Sequence, residues 1–161
     1  MDEKSASDSP IGDRWRYEVS GRSRAAPSTV WPLISEAARV KEWTFMTRTY
    51  LTREGVPAPD GVGAVRRFAV GPIGSSEEVV EFDPPNHLGY EARQGVPARR
   101  YRGDIFLRPD GEGTAITWTG SLEPSLPGTG GLALAFTRTF ARLFVRQLVR
   151  YADRLAAGPP G

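Results

Sequence analysis

The stretch that most constrains this chain is its last long periodic run, Gly131 to Ala157, which reads GLALAFTRTFARLFVRQLVRYADRLAA. At 1.5 Å rise per residue it predicts a helix about 40 Å long. Arginine returns at every fourth position, at Arg138, Arg142, Arg146, Arg150 and Arg154, and forms a slowly winding polar stripe. Nearly opposite lie Phe136, Phe140, Leu143, Phe144, Gln147, Leu148, Tyr151 and Leu155. Leu134, Val145 and Val149 widen the apolar part beyond a coiled-coil seam, so other elements must grip this helix along most of its length. An arginine stripe is compatible with nucleic acid or an anionic membrane. Here the formal net charge is only +2, too small to point to a polyanion, and the stripe is read as a solvated face.

The rest of the chain reads as a sheet that receives this helix. Arg14 to Arg24 places Trp15, Tyr17 and Val19 on one face at period two, a first strand. Pro27-Ser28-Thr29 opens a short helix through Val30, Trp31, Leu33 and Ile34, with Ser28 as the expected N-cap and Pro32 within the opening turn. Glu36 to Trp43 predicts a second short helix. Six strands follow, at residues 45–53, 63–71, 75–83, 88–94, 100–108 and 114–122. They are joined by short turn-rich segments such as Gly71-Pro72-Ile73-Gly74 and Pro109-Asp110-Gly111. Short joints imply an antiparallel meander. Eighteen glycines and fourteen prolines punctuate these strands rather than marking disorder. Residues 1–13 are expected to be a disordered N-terminal segment, 14–157 a single domain and 158–161 a disordered tail.

Side-chain parity follows the hairpins. A turn at Gly95–Ala98 brings Tyr101, Gly103 and Ile105 near Gln94, Ala92 and Tyr90. One at Asp110-Gly111 brings Leu107, Ile105 and Gly103 near Thr114, Ile116 and Trp118. Residues Tyr90, Ala92, Tyr101, Gly103, Ile105, Leu107, Ile116 and Trp118 fall on one face, taken as the inner one. Arg93, Arg102, Asp104, Thr117 and Thr119 fall on the other, where only Phe106 breaks the polar pattern. Gly103 is expected to leave room for the Trp118 indole or to mark a bend.

The chain has no cysteine and one histidine, so no disulfide framework and no common zinc set can be written. Nothing approaches the ~18 apolar residues of a membrane span. A reducing, cytoplasmic location is the expectation. His87 falls in a turn and is read as a loop residue. No serine sits in a nucleophile elbow, and Gly61-Val62-Gly63 lacks the helix and Lys-Ser/Thr of a phosphate loop. Arg66 shares a strand face with Ala64, Phe68 and Val70. It therefore either points inward against one of Glu77 and Glu81, or forms a surface pair if the register slips by one. Asp104, Glu77 and Glu81 could act as acid or base only if burial raised their pKa values.

The order of elements, with the local sequences Ala26-Pro27-Ser28-Thr29-Val30-Trp31, Glu42-Trp43, Gly61-Val62-Gly63-Ala64-Val65-Arg66, Glu78 to Pro85, Leu88-Gly89-Tyr90 and Gly113 to Trp118, resembles the START/polyketide-cyclase (SRPBCC) superfamily and its polyketide cyclase/dehydrase group. The resemblance spans about Trp15 to Leu155. It implies an α+β helix-grip fold, a seven-stranded curved antiparallel sheet wrapped around the C-terminal helix. It also implies a cavity between the two, for which Trp43, Phe45, Arg66, Tyr90, Tyr101, Trp118, Phe136 and Phe140 are the candidate ligand-binding residues. The implied function is binding of a hydrophobic or aromatic small molecule (a lipid, a polyketide or a similar metabolite), by a monomer or homodimer that needs no cofactor. The alternative is a cyclase/dehydrase-type enzyme using Tyr, Arg or acid groups of the pocket, with no catalytic residue singled out.

Overall fold

The computed structural model describes residues 11–159. Most of the expected disordered N-terminal segment, and the last two residues of the expected tail, lie outside the described residues. Asp13, at the end of that segment, pairs with Arg16 at 2.7 Å.

The architecture is the α+β helix grip. Strand β1 (Arg16–Ser23) leads into helix α1 (Pro27–Ser35), a 3-10 turn (Ala37–Arg39) and a single-turn helix α2 (Val40–Trp43). Six strands follow: β2 (Arg48–Arg53), β3 (Val65–Val70), β4 (Ile73–Asp83), β5 (His87–Gln94), β6 (Arg100–Asp110) and β7 (Gly113–Glu123). Helix α3 (Gly130–Ala157) ends the fold. All seven strands form one sheet in the order β1-β7-β6-β5-β4-β3-β2, antiparallel throughout. The meander arises because each joint is too short for a crossover. β1 then closes onto β7 and leaves β2 as the far edge.

The two short helices differ from expectation in detail. Ala26 rather than Ser28 occupies the N-cap of α1, so that Pro27 takes the first helical position, where its missing N–H costs nothing. Pro32 therefore lies inside the helix and beyond its opening turn, and α1 stops three residues later. The predicted second helix splits into the 3-10 turn and α2. The Asp60 carboxylate accepts from the Ala37 N–H at 2.8 Å, and the Trp43 indole N–H donates to the Leu33 carbonyl at 2.8 Å. These bonds fasten the helical corner to the β2–β3 loop and to itself.

Helix α3 packs mainly on β1 and β7, with further contacts to α1 and α2. Its buried line is Ala133, Thr137, Ala141, Val145, Leu148 and Ala152: Val145 and Leu148 belong to the expected apolar part, but the aromatic residues expected beside them do not lie on this line. The reason is steric. β1 comes so close that Gly21 faces Val145 and Val149 directly, and only small or slender side chains fit between helix and strand. The bulky Phe136, Phe140 and Phe144 lie on the adjoining flank, while Leu143 and Leu155 are exposed. The five arginines of the stripe are exposed, as expected of a solvated face. Near its C-terminus α3 is anchored by Asp153, which accepts from Ser23 Oγ and the Arg24 N–H, each at 2.7 Å.

Candidate functional site: a cavity between sheet and helix

Because α3 lies toward the β1–β7 side, the inner face of β3 to β6 is only partly covered. The uncovered space is a cavity of about 380 Å³, bounded by those strands, α2 and the aromatic flank of α3. All eight candidate residues line it.

The aromatic wall is continuous. Phe136 and Phe140 stand 4.7 Å apart between ring centres, and Phe140 lies 6.1 Å from Phe45. Phe144, in the same row, meets Trp43 edge-on at 6.2 Å and Trp118 at 6.0 Å. Phe45 and Phe136 are each nearly half exposed and form part of the rim, whereas Trp43 and Trp118 are buried. Ile73, at the tip of the β3–β4 hairpin, adds an apolar side chain to the lining that is 79% exposed, so the wall reaches solvent there.

Two glycines shape the floor. Gly103 of β6 pairs with Gly120 of β7. A Cβ on Gly103 would come far inside contact distance of the Tyr90 ring, and one on Gly120 far inside contact distance of the Tyr17 ring. The space at Gly103 is thus taken by a tyrosine and not by the expected indole, because the β5–β6 and β6–β7 registers are each two residues from the ones predicted. Gly120, not Trp118, pairs with Gly103 on β7. Tyr90, not Ala92, stands opposite Gly103. A shift of two preserves the face, so the inward assignments survive it.

The phenols meet in the interior. The Tyr17 and Tyr101 hydroxyls are 2.5 Å apart, and the Trp118 indole N–H donates to the Tyr90 hydroxyl at 2.9 Å. Burial pushes all three phenol pKa values well up, helped by the repulsion each phenolate would feel from a neighbouring tyrosine, so the groups remain neutral donors at physiological pH. Tyr17 was not among the candidates. Its signal was present in the sequence as an inward position on β1, but its cross-strand glycine is known only from the pairing.

Arg66 points inward and is 3% exposed, which overturns the surface-pair alternative. Its Nε–H donates to Glu77 at 2.9 Å, Nη2 donates to the same carboxylate oxygen, and Nη1–H donates to the Ile34 carbonyl at 2.7 Å. Its guanidinium carbon sits 5.4 Å from the centre of the Phe68 ring and 5.9 Å from that of Tyr90. Burial raises the Glu77 pKa and Arg66 opposes that rise.

The other acid candidates are elsewhere. A β-bulge between Val79 and Glu81 reverses the alternation of β4, so Glu81 pairs with Gly89 on the outer face instead of lying with Glu77. Asp104 is also outside. Although burial works against it, hydrogen bonds from Arg102 and His87 hold its carboxyl below the usual range. His87 is not a loop residue. It opens β5, lies 2.8 Å from Asp104 and stacks on Phe106 at 4.2 Å, which accounts for an apolar ring on the polar face.

A seven-stranded sheet with a long helix across it and an aromatic cavity between them defines a helix-grip protein of the START type. Over residues 14–157 the sequence matches the family described as polyketide cyclase/dehydrase and lipid transport, and the chain belongs to that family. No curated protein matches it significantly. Solved structures of similar shape include a START superfamily protein from Mycobacterium smegmatis, with a TM-score of 0.74 at 13% identity, covering 87% of this chain and 98% of that one. The protein XoxI from Bacillus cereus gives 0.72 at 17% identity, covering 88% and 97%. A Thermobifida fusca protein gives 0.69 at 23% identity, covering 84% and 92%. At these identities the likeness is one of fold. Among the described residues no helix is long and apolar enough to cross a membrane.

Proposed function

We propose that the chain binds an aromatic or otherwise apolar small molecule, a lipid, polyketide or similar metabolite, in the cavity under α3. The observation that carries this reading is the cavity itself. About 380 Å³ stays open among rings that would otherwise pack together, and it opens at an apolar rim. A cavity of that size suits a ligand of two or three fused rings. Phe45, Phe136 and Ile73 offer the entrance, Trp43, Phe140 and Trp118 the apolar walls, and Arg66, Tyr90 and Tyr101 the polar end.

A second reading, cyclase/dehydrase chemistry, draws on the closeness of Arg66 to Tyr90. Neutral phenols and a guanidinium could stabilise charge developing on a ketone oxygen as an enolate forms. Carrier and enzyme share the same ligand class and differ in turnover.

The test is a titration of the full chain with a neutral fluorescent probe, N-phenyl-1-naphthylamine. Saturable binding at one site per chain is expected, with quenching of tryptophan fluorescence because Trp43 and Trp118 line the cavity. Failure of this and other uncharged apolar probes to bind saturably would refute the pocket. Turnover of a poly-ketone above the buffer rate, lost on Tyr90→Phe, would move the assignment to the enzyme.

A further inference from the structure

Among the described residues, the cavity lining contains one cation and one anion, Arg66 and Glu77, and the rest of it is uncharged at neutral pH. The two sit opposite each other on β3 and β4. An arginine held ready for a ligand carboxylate keeps a two-donor edge open for it. In Arg66 the edge formed by Nε and Nη2 is taken by Glu77, and Nη1 donates to the backbone at Ile34. With Glu77 ionised, as suits a carboxylate oxygen that accepts two N–H groups of Arg66, the pair has no net charge. An anion entering this apolar space would lose its hydration and gain no counter-charge.

The neutral groups favour a different ligand. The Tyr90 oxygen already accepts the Trp118 N–H, so its own hydrogen is directed elsewhere. Tyr17 and Tyr101 share one hydrogen between their oxygens, and Tyr101 is also hydrogen-bonded to Tyr90, which uses a second. Two of the three phenol hydrogens are thus used within the cluster, and the third remains as an O–H donor that suits an accepting oxygen.

We infer that the cavity selects uncharged, oxygen-bearing aromatic ligands such as ketones, and that Glu77 is the specificity-determining residue because it cancels the charge of Arg66. This rests on the binding reading above and deepens it. The sequence supports the pairing but not the selection: a strand face with an inward arginine fits a carboxylate receptor equally well until the partner's position is known.

Two probes of the same ring system separate these cases, 2-acetylnaphthalene as the uncharged ketone and 2-naphthoate as the carboxylate. Both are titrated at neutral pH against wild type, Glu77→Gln and the double variant Arg66→Gln/Glu77→Gln. Wild type is expected to bind the ketone at least about tenfold more tightly than the carboxylate, and Glu77→Gln to shift that ratio toward the carboxylate by about tenfold or more. Equal wild-type affinities, or a ratio unchanged in Glu77→Gln, would overturn the inference while leaving the pocket intact. If Glu77→Gln does not fold, the wild-type ratio and the double variant decide. The double variant should keep the preference for the ketone, since both charges leave together. A double variant that gains the carboxylate overturns the inference, for the pair would then not have been neutral toward ligands. Binding of neither probe to any of the three proteins removes the pocket reading, and the charge filter with it.

Discussion

At the scale of the residue, most of the polar side chains lining the cavity are bonded to one another. Tyr101 is the clearest case. By parity its hydroxyl looks free to meet a ligand, but it is bonded to the Tyr17 hydroxyl. Replacing it with Phe leaves the Tyr17 oxygen without that partner in a buried site. Tyr101→Phe is therefore expected to destabilise the fold by about 1–3 kcal/mol, read as a lower denaturant midpoint at unchanged m-value. A variant as stable as wild type would mean that the Tyr17 hydroxyl finds water or another partner at no cost. Arg66 shows how far a sequence can be read at this scale. Its apolar strand neighbours predicted the inward direction as one of two choices, and β3–β4 pairing selected that choice along with Glu77. Glu81, an equal candidate by alternation, was removed by a single bulge.

At the scale of the element, α3 divides its surface three ways. A small-residue line contacts β1 and β7, an aromatic flank borders the cavity, and an arginine stripe faces water. Substitutions should rank accordingly. Leu148 is fully buried, and Leu148→Ala is expected to cost about 2–5 kcal/mol. Phe140 is only partly buried and borders empty space, so Phe140→Ala should cost clearly less and should enlarge the cavity. Arg142→Gln, on the exposed stripe, should stay within about 0.5 kcal/mol. Chemical denaturation of the three variants checks the order. A Phe140→Ala loss equal to that of Leu148→Ala would mean that the aromatic flank is packed core and not a cavity wall.

At the scale of the whole molecule, sheet and helix are mutually dependent. The buried core includes Tyr17, Ile116 and Trp118 from β1 and β7 together with Ala141, Val145 and Leu148 from α3. A fragment ending at Thr129 exposes that face. At ~25 cal/mol per Å² the loss from several large side chains exceeds a typical ~5–15 kcal/mol stability. The fragment should be insoluble or unfolded, and a soluble, cooperatively melting product would contradict the architecture. Element order and the inner face of the sheet were legible in the residues themselves, because alternation, helical period and turn residues are local properties of the chain. The eight cavity residues followed from parity, from the long helix and from the family resemblance, and register errors of two in β5–β6 and β6–β7 left the faces unchanged. Tertiary structure alone decided which stripe of α3 touches the sheet, where β4 bulges, and that Tyr17 reaches Tyr101. Each of these depends on how closely two distant segments approach. That distance is set by the packing of glycine, alanine and tyrosine across strands, and no window of sequence contains it.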